Sequence, residues 1–577
     1  MSATGYEASV ILADGSPAEV RVVRKADRAG VLALHETASD LSLYRRFFTL
    51  NRPRAAEYAE KLCLAGDGSL SLVVIRRQQV VGVATAMPTR TGVAEVALLV
   101  DERLHAVGIG TVLLEHLASW CSSMGVRRFT ADVLVDNTGM IRVFHDAGFA
   151  YVEQVRHGVM SLSLDLAVTP ARLRASAGRQ RQAEAHSMAH ILEPAAVAVV
   201  GAQGGGALPA RRVLDNIRRG GFAGPVHACD SVGELPRDLD LAVVEVPGGA
   251  ASGVVAELAR RGTNACVLLT PQQDPGHQLV GIAREHGIRV VGPNSSGVLS
   301  HLRGTRLDAT GAVVHPGPGR LALAAQAGGA GDTVLEAVRH SAVGLACFVS
   351  TGEEADVSGT DLLMAWTDDP AVGAAALALQ SVPDPGQLAR AASPFSSRKP
   401  VVAFVGRSPD RALAALYDAA GLIRADDPDD LLDTGRVLAE QPLPGGRRLG
   451  VVGDATGLPA RVGDAAARAG LEVSSLIGGV SGSTLRELLS DDAADAVIVV
   501  SDAIAVTGVR EVVAGLEEAV RTQRAASSAT KPVVLVAPAL NRMAGECGAL
   551  TVLDSVEGAV RALGHAVGYT GWLSTTR

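Results

Sequence analysis

Two closely spaced glycines, Gly108 and Gly110, lie between an apolar run and an amphipathic run in residues 94–117, AEVALLVDERLHAVGIGTVLLEHL. The pattern predicts a strand, a tight turn and a helix in direct succession. Because glycine lacks a side chain, the backbone there can approach a ligand closely, and the first turn of a helix offers N–H groups without intrahelical partners. Such a turn suits a phosphate or pyrophosphate group, although the same spacing also fits a plain connection from strand to helix.

The segments on either side of this turn carry two further features. An acidic residue, Glu95, lies in the apolar strand before the turn, where alternation favours an apolar or neutral residue. Downstream, residues 126–149 predict a second strand, a turn at Asp136 and Asn137, and a helix that ends at Gly148. The turn therefore lies between two strands and two helices of one α/β unit.

The order of these segments resembles the N-acetyltransferase (GNAT) superfamily. Its signature, Gln/Arg-x-x-Gly-x-Gly/Ala after a splayed strand, falls on residues 105–110, where His105 and Val107 replace the usual side chains and both glycines are kept. The resemblance implies a mixed α/β sheet and acetyl-CoA as co-substrate. It also implies that the contacts to acetyl-CoA comprise Leu98, Leu99, Val100, His105, Val107, Gly108, Ile109, Gly110, Thr111 and Asn137.

Four segments resemble more closely the bacterial protein lysine acetyltransferases of the Pat type: residues 6–27, 41–48, 94–100 and 131–149. In that family the acid of the Ala-Glu-Val-Ala strand is the general base, which implies this role for Glu95. The chemistry agrees, because a lysine amine has a pKa of about 10.4 and must lose a proton before it attacks a thioester. The alternative is an acid at a solvated strand edge.

Many small-molecule members of the superfamily use a tyrosine, in the helix after the Asn137 turn, as general acid. Phe144 occupies that position here. Since a thiol has a pKa of about 8.5, the thiolate of coenzyme A can leave without a strong acid. Phe144 therefore favours the protein-acylating subgroup.

The composition is that of a long, packed α/β chain. Its 577 residues are 47% hydrophobic, and this length suffices for about three or four domains. The net charge of −8 argues against nucleic acid as the main partner. No apolar run is long enough to span a membrane, the N-terminus does not resemble a leader peptide, and the six cysteines show no Cys-x-x-Cys spacing. We therefore expect a cytoplasmic protein with no metal site, disulfide framework or membrane association.

The rest of the chain divides into several predicted domains. Residues 166–189 lose apolar periodicity and become basic, which predicts a linker or a solvated helix after an acetyltransferase domain at 1–165. Alternating strand-like and helical runs then predict three doubly wound α/β units: a Rossmann-like CoA-binding domain at 190–305 and flavodoxin-like domains at 306–442 and 443–577. Their predicted strands are 197–200, 241–246, 265–269, 290–291, 321–324, 345–349, 375–379, 401–404, 449–452, 496–500 and 533–536.

A second phosphate-binding turn is predicted where the first of these units begins. A buried strand there leads into Gly201, Gly204, Gly205 and Gly206, without the strict dinucleotide fingerprint. The motifs that follow resemble, in sequence and order, the nucleoside-diphosphate-forming acyl-CoA synthetases, relatives of the succinyl-CoA synthetase α chain; they lie in residues 240–247, 287–300, 319–331 and 348–370. This resemblance implies CoA or an acyl-CoA as a second ligand.

Several features of that region depart from the synthetases. The loop that carries the phosphate-relaying histidine is missing after residues 398–408, Gln380 replaces the acid that partners this histidine, and residues 325–328 read Ala-Gln-Ala-Gly in place of Ser-Gln-Ser-Gly. The sequence also shows no ATP-grasp domain. Because glutamine cannot stabilise an imidazolium or a phosphohistidine as a carboxylate does, we expect the region to be catalytically silent.

The two resemblances lead to one main hypothesis, an acetyl-CoA-dependent protein lysine N-acetyltransferase with a silent synthetase-like region that binds CoA or acyl-CoA and regulates it. The Pat-type resemblance implies acyl-CoA synthetases as protein substrates, and a homo-oligomer stays open. Two alternatives remain: an N-acetyltransferase of small amines such as aminoglycosides or polyamines, and a non-catalytic CoA-binding regulatory or scaffold protein.

Overall fold

Four β-sheets with helices on their faces make up the computed structural model of the chain. It describes residues 5–64, 68–202, 208–271, 277–313, 315–327, 329–341, 343–406, 411–453, 458–501, 509–526, 530–538 and 549–576. The first sheet is mixed and the others are wholly or mainly parallel. The predicted α/β class, with a mixed N-terminal sheet followed by parallel sheets, is confirmed.

The N-terminal part of the chain forms an eight-stranded sheet flanked by five helices. Its strands are β1 (Glu7–Ile11), β2 (Pro17–Val22), β3 (Leu70–Arg76), β4 (Gln79–Arg90), β5 (Val93–Val100), β6 (Arg128–Leu134), β7 (Ala150–Arg156) and β8 (Val159–Asp165). The helices are α1 (Arg28–Thr37), α2 (Asp40–Phe47), α3 (Arg52–Leu62), α4 (Ile109–Ser123) and α5 (Thr138–Asp146). The strand order is β1-β2-β3-β4-β5-β6-β8-β7, and β5 and β6 are parallel whereas the other described neighbours are antiparallel.

Alternating apolar residues bury both faces of this sheet. Leu72 of β3 packs with Leu113 of α4 on one face. Val73 of β3 and Leu99 of β5 pack with α1, α2 and α3 on the other face. Burial on both sides fixes β5 and α4, which flank the predicted phosphate turn.

The segment predicted as a linker contains most of a helix, α6 (Pro170–Leu192). Thr169 caps it, with its side chain accepting a hydrogen bond from the backbone N–H of Arg172. The C-terminal half of α6 is buried and includes the polar residues Glu184 and Ser187. These polar groups interrupt the apolar stripe of α6. The sequence therefore predicts a solvated segment, although the C-terminal half of the helix is packed.

The second sheet is wholly parallel. Its strands are β9 (Val197–Val200), β10 (Val226–Cys229), β11 (Leu241–Val244), β12 (Ala265–Leu268) and β13 (Arg289–Val291), in the order β10-β9-β11-β12-β13. The helices of this unit are α7 (Leu208–Gly220), α8 (Ala251–Arg260) and α9 (His277–His286).

The third and fourth sheets follow the same doubly wound plan. The third contains β14 (Gly297–Ser300), β15 (Leu307–Thr310), β16 (Pro318–Gln326), β17 (Leu345–Gly352), β18 (Ala374–Leu379), β19 (Val401–Val405) and β20 (Leu422–Arg424). Its helices are α10 (Gly329–His340), α11 (Gly359–Trp366), α12 (Pro385–Ser396), α13 (Arg411–Ala419) and α14 (Pro428–Glu440). The fourth unit contains β21 (Arg448–Gly453), β22 (Glu472–Ile477), β23 (Ala496–Val500), β24 (Val533–Val536), β25 (Thr551–Leu553), α15 (Leu458–Arg468), α16 (Gly482–Ser490), α17 (Val509–Ala526) and α18 (Val556–Thr576).

All eleven strands predicted after residue 190 are present, and the described residues contain six further strands that were not predicted. Those six are β10, β14, β15, β20, β22 and β25. The third sheet has the order β15-β14-β17-β16-β18-β19-β20 and the fourth has the order β22-β21-β23-β24-β25. All of the six except β14 are therefore edge strands, with β10 at the edge of the second sheet. The predicted boundary between residues 305 and 306 separates β14 from β15, which pair with each other in the third sheet.

A buried ionic cluster joins α6 to the second and third sheets. Arg289 of β13, only 3% exposed, contacts Glu184 at 3.1 Å and Ser187 at 2.9 Å on α6. It also contacts Asp356, in the loop after β17, at 2.9 Å, and lies 3.9 Å from Asp361 of α11. Leaving a buried charge without its partner costs about 3–5 kcal/mol. The five residues, called the Arg289 cluster below, therefore hold α6 in one position relative to both sheets.

None of the described helices has the length and apolar character needed to cross a membrane.

Candidate functional site

The parallel pairing of β5 and β6 is short. It comprises Val93 with Arg128, Ala94 with Phe129, and Glu95 with Thr130, while β5 pairs with β4 along its other side as far as Val100. Beyond Glu95 the two strands diverge, and a cavity of about 520 Å³ lies in the opening. Backbone polar groups in such an opening require partners. An extended ligand with amide groups would supply them.

The predicted phosphate turn forms one end of this cavity. Gly108 caps α4 with a φ of 83°, and its carbonyl accepts from the Val112 N–H at 3.0 Å. Ile109, Gly110 and Thr111, the first three residues of α4, line the cavity. Their N–H groups have no partners within the helix and lie at this end of the cavity. Gly110 has a second role, because a Cβ there would lie 3.1 Å from Val143 of α5.

Most of the residues predicted to contact acetyl-CoA line this one cavity. They are Leu98, Leu99, Val100, His105, Gly108, Ile109, Gly110, Thr111 and Asn137. Val107 is not among the lining residues, and its carbonyl instead accepts from the Ala13 N–H at 3.0 Å. The oxygen of Asn137 caps α5 by accepting from the Met140 N–H at 3.2 Å, so a ligand would meet the amide NH₂ group.

Glu95 is the last residue of β5 that pairs with β6, and it is not among the residues that line the cavity, whose lining on β5 begins at Val96. Its side chain is exposed and shares a sheet face with Leu99, opposite Met87 of β4 in register. Burial lowers the pKa of the nearby Arg46 guanidinium, and the negative charge of Glu95 counteracts that effect. A carboxylate in this position is accessible to a substrate that approaches from solvent.

Arginines from separate segments line the cavity beside the acids Asp132 and Asp146, and sequence reasoning missed them. Arg45 and Arg46 of α2 and Arg142 of α5 line it together with His105. Arg45 also donates to the carbonyl of Asp136 at 3.1 Å, which ties α2 to the turn before α5. Paired arginines next to apolar residues in segment 41–48 were the available signal. Arginine suits phosphate groups through its planar set of donors.

The loop before α4 is held to the start of α2. Glu102 accepts from the backbone N–H of Ser39, the residue that caps α2, at 2.9 Å. Hydrogen bonds from Ser39 and Ser42 hold the pKa of Glu102 below its usual value. A charged residue at this point therefore fixes two cavity walls against each other.

Phe144 lies where a general-acid tyrosine would be expected. It is 1% exposed, lines the cavity and packs in the core shared by α4 and the sheet. The structure therefore places an apolar ring at this wall of the cavity, with no proton to donate.

The second predicted phosphate turn lies only partly within the described residues. Gly204, Gly205 and Gly206 are outside them, whereas Gly201 is described and has a φ of 92°. A Cβ at Gly201 would collide with the carbonyl of Glu245. The Glu245 carboxylate accepts from the Ala210 N–H in the first turn of α7 at 2.7 Å. A phosphate at this turn would therefore have to share the helix end with an acid of the chain.

A closed polar network lies at the carboxyl ends of β16 and β18. The Gln326 amide oxygen accepts from the backbone N–H groups of Gln380 at 2.7 Å and Ser381 at 3.1 Å, and its NH₂ group donates to Glu354 at 2.6 Å. Glu354 also accepts from Thr351 at 3.0 Å, and burial raises the pKa of its carboxyl group. These residues satisfy one another.

The described residues contain no group of three or more histidine, cysteine, aspartate or glutamate side chains arranged to hold a metal ion.

Comparison with known proteins gives two family matches in separate parts of the chain. Residues 41–149 match the acetyltransferase (GNAT) family, and residues 318–411 match the succinyl-CoA ligase like flavodoxin domain. The chain thus contains a GNAT acetyltransferase domain and a succinyl-CoA ligase-like region. The solved GNAT domain of S. lividans PAT is 30% identical to this chain. The match covers 28% of this chain and 96% of that domain, with a TM-score of 0.26.

The ligase-like region matches two CoA ligases over part of their length. The α subunit of an ADP-forming acetate–CoA ligase from Pyrococcus furiosus is 26% identical over 50% of this chain and 71% of its own length. An ADP-forming 4-hydroxybutyrate–CoA ligase from Nitrosopumilus maritimus is 26% identical over 50% of this chain, which spans 47% of that protein. A solved Pyrococcus horikoshii structure shares the fold, with a TM-score of 0.59, 21% identity, and coverage of 67% of this chain and 99% of that one.

The geometry of the glycine turn predicts a binding defect. Replacing Gly108 with alanine should weaken acetyl-CoA binding by about tenfold or more, because a Cβ at the cavity would hinder close approach of a phosphate to the N–H groups of α4 and the left-handed φ would be strained next to them. Gly125, just beyond the other end of α4, is the matched control: its φ is 90° and a Cβ there would meet nothing within 4 Å. Calorimetric titration of both variants measures the difference, and equal affinities would contradict a role for the turn in binding.

Proposed function

We propose that this protein is an acetyl-CoA-dependent protein lysine N-acetyltransferase and that its ligase-like region regulates the transferase without making thioesters. One observation carries the proposal: the cavity between β5 and β6 begins at Val96, one residue beyond Glu95, and reaches the Gly108 turn at its other end. A ligand with a phosphate group at one end and a reactive thioester at the other matches this arrangement.

The cavity supplies groups for each part of acetyl-CoA. The N–H groups of the first turn of α4, with Arg45 and Arg142 at the rim, suit the phosphates. The backbone of residues 96–100 suits the amides of the pantetheine arm, as an added strand would. The thioester would then lie toward the paired end of β5, beside Glu95.

Acetyl transfer needs a base more than it needs an acid. Glu95 accepts a proton from the lysine ammonium, directly or through water, and the neutral amine attacks the thioester carbonyl. The carbon–nitrogen bond forms, the carbon–sulfur bond breaks, and CoA leaves as a thiolate, whose thiol form has a pKa of about 8.5. The extra proton that the nitrogen still carries after the attack passes to solvent or to this thiolate. Phe144 donates no proton, and this leaving group requires none.

The exposure of the site supports a lysine on a protein surface as acceptor. Glu95 is exposed, and Met87 beside it in the sheet is 36% exposed. Tyr44 and Phe48 of the neighbouring α2 segment are each 42% exposed. A small amine would require an enclosing pocket to be held, whereas a protein can cover such an open apolar surface. The resemblance to Pat-type enzymes suggests acyl-CoA synthetases as the proteins acetylated.

The polar network of the ligase-like region supports a silent role. The backbone N–H groups at Gln380 and Ser381 are occupied by Gln326, which in turn binds the buried acid Glu354. The segment after β19, residues 406–410, reads GRSPD and contains no histidine that could carry a phosphate. We infer that this region binds CoA or an acyl-CoA as a signal, since its relatives are named as CoA ligases.

The assignment of Glu95 predicts a selective loss of turnover. Glu95→Gln should lower the acetylation rate of a lysine-containing acceptor protein by about a hundredfold, because the amide cannot take the proton. Calorimetric affinity for acetyl-CoA should stay unchanged. Glu153→Gln, in the exposed strand β7 of the same sheet, is the control and should retain full activity. A Glu95→Gln variant as fast as the wild type would exclude Glu95 as the base.

The silent role predicts two negative results for the full chain. It should form no acetyl-CoA from acetate, CoA and ATP, because no histidine is available to relay phosphate. Inorganic phosphate should also cause no extra release of CoA from acetyl-CoA, a half-reaction that requires no ATP. Thiol titration follows both reactions, with an ADP-forming acetate–CoA ligase as the positive control. Phosphate-dependent CoA release would show that the region is still a synthetase.

A further inference from the structure

The turn between β1 and β2, residues 12–16, contacts the loop before α4, residues 101–108. This loop forms the end of the cavity where phosphate is predicted to bind. The backbone N–H of Ala13 donates to the carbonyl of Val107 at 3.0 Å. A Cβ built on the next residue, Gly108, would lie 3.5 Å from the Ala13 Cβ. The β1–β2 turn therefore supports the loop directly behind the residue that caps α4.

The same turn rests on α6, which lies outside the region that matches the acetyltransferase family. The carbonyl of Ala13 accepts from Nδ1 of His186 at 2.6 Å. Gly15, with a φ of 81°, packs so closely on α6 that a Cβ would lie 2.5 Å from the backbone nitrogen of Ser187. One residue, Ala13, thus connects the loop before α4 through its N–H group to α6 through its carbonyl group.

α6 is in turn held by the ligase-like region. The Ser187 hydroxyl accepts from Arg289 at 2.9 Å, and Arg289 binds Asp356 after β17. Asp356 lies two residues after Glu354, which contacts Gln326 at the end of β16. Each step is a hydrogen bond, an ion pair or direct sequence proximity, so a shift of α6 has a physical route to the loop.

We propose that α6 positions the acetyl-CoA loop through the β1–β2 turn, with His186 and Gly15 as positioning residues. The inference rests on the proposed function and names how that site is regulated. The ligase-like region sets the affinity for acetyl-CoA by fixing α6, and the chemistry at Glu95 is not altered. The orientation of the α4 N–H groups is what changes when α6 moves.

Two variants of the full chain test this. Gly15→Ala should push the turn off α6, and His186→Ala should remove its hydrogen bond. Each should weaken calorimetric acetyl-CoA binding by about tenfold. The single-turnover acetylation rate at saturating acetyl-CoA should stay at the wild-type value, and hydrogen exchange in residues 101–112 should accelerate. The control for Gly15→Ala is Gly125→Ala, where the added Cβ would meet nothing within 4 Å. The control for His186→Ala is His340→Ala, which removes an exposed histidine of α10 that is hydrogen-bonded to Glu336.

The outcomes separate this inference from the proposed function. If the wild type binds acetyl-CoA and both variants bind it as tightly as their controls, the positioning role is overturned while the transferase stands. If the wild type does not bind acetyl-CoA, both fail. Should Gly15→Ala fail to fold, His186→Ala decides, because His186 is exposed and its removal leaves no buried gap. A reduced single-turnover rate at saturation in His186→Ala would also overturn the inference.

Discussion

The point at which β5 stops pairing with β6 controls the rest of the acetyltransferase site. Backbone N–H and C=O groups in a sheet must find partners, so two strands diverge only where something else can satisfy them. Here β4 holds the other side of β5 through to Val100, and residues of α4 and α5 line the cavity beyond the point where β5 and β6 stop pairing. Register matters equally, because a shift of one residue would turn Glu95 toward the buried α4 face. The same break therefore opens the cavity and places the acid at its end.

The second constraint is the Arg289 cluster, which connects the two halves of the chain. Arg289 is buried and forms ion pairs with Glu184, Asp356 and Asp361. Because separating a buried charge from its partners is strongly destabilising, moving α6 away from the ligase-like region would cost folding free energy. Burial raises the pKa of Glu184 to about 7, with Arg289 opposing that shift. Because α6 also carries His186 against the β1–β2 turn, the transferase and the ligase-like region share one structural element.

The local patterns in the sequence were enough for the fold class and much of the cavity. Gly108 reveals the turn because its left-handed φ of 83° is a local backbone requirement, whereas Gly110 is explained by its close packing on Val143 of α5. The edge strands β22 and β25 were missed because edge strands are short or exposed and lack continuous apolar runs. Arg45 and Arg142 were missed for another reason: they meet only in the folded chain. Val107 shows the same limit, since its carbonyl serves the β1–β2 turn and no pattern of side chains reveals that contact.

Polar burial was the feature hardest to predict. Residues 166–189 read as a linker because Glu184 and Ser187 interrupt the apolar stripe, yet both lie inside the Arg289 cluster. Gly201 is part of the predicted phosphate turn, and it also lets the chain after β9 pass close to the carbonyl of Glu245, a contact that the sequence does not reveal. Charge pairs and backbone contacts between distant segments are set by tertiary structure, which hydrophobic periodicity does not encode.

The measurement that tests the central claim most directly is the fate of the acetyl group. The full chain is incubated with isotope-labelled acetyl-CoA and a cell extract that contains both proteins and small amines, with the Glu95→Gln chain as the background for spontaneous acetylation. The account predicts labelled ε-amino groups of protein lysines, identified by mass spectrometry, in excess over the Glu95→Gln sample. Label confined to small amines, or equal protein labelling by both chains, would contradict it.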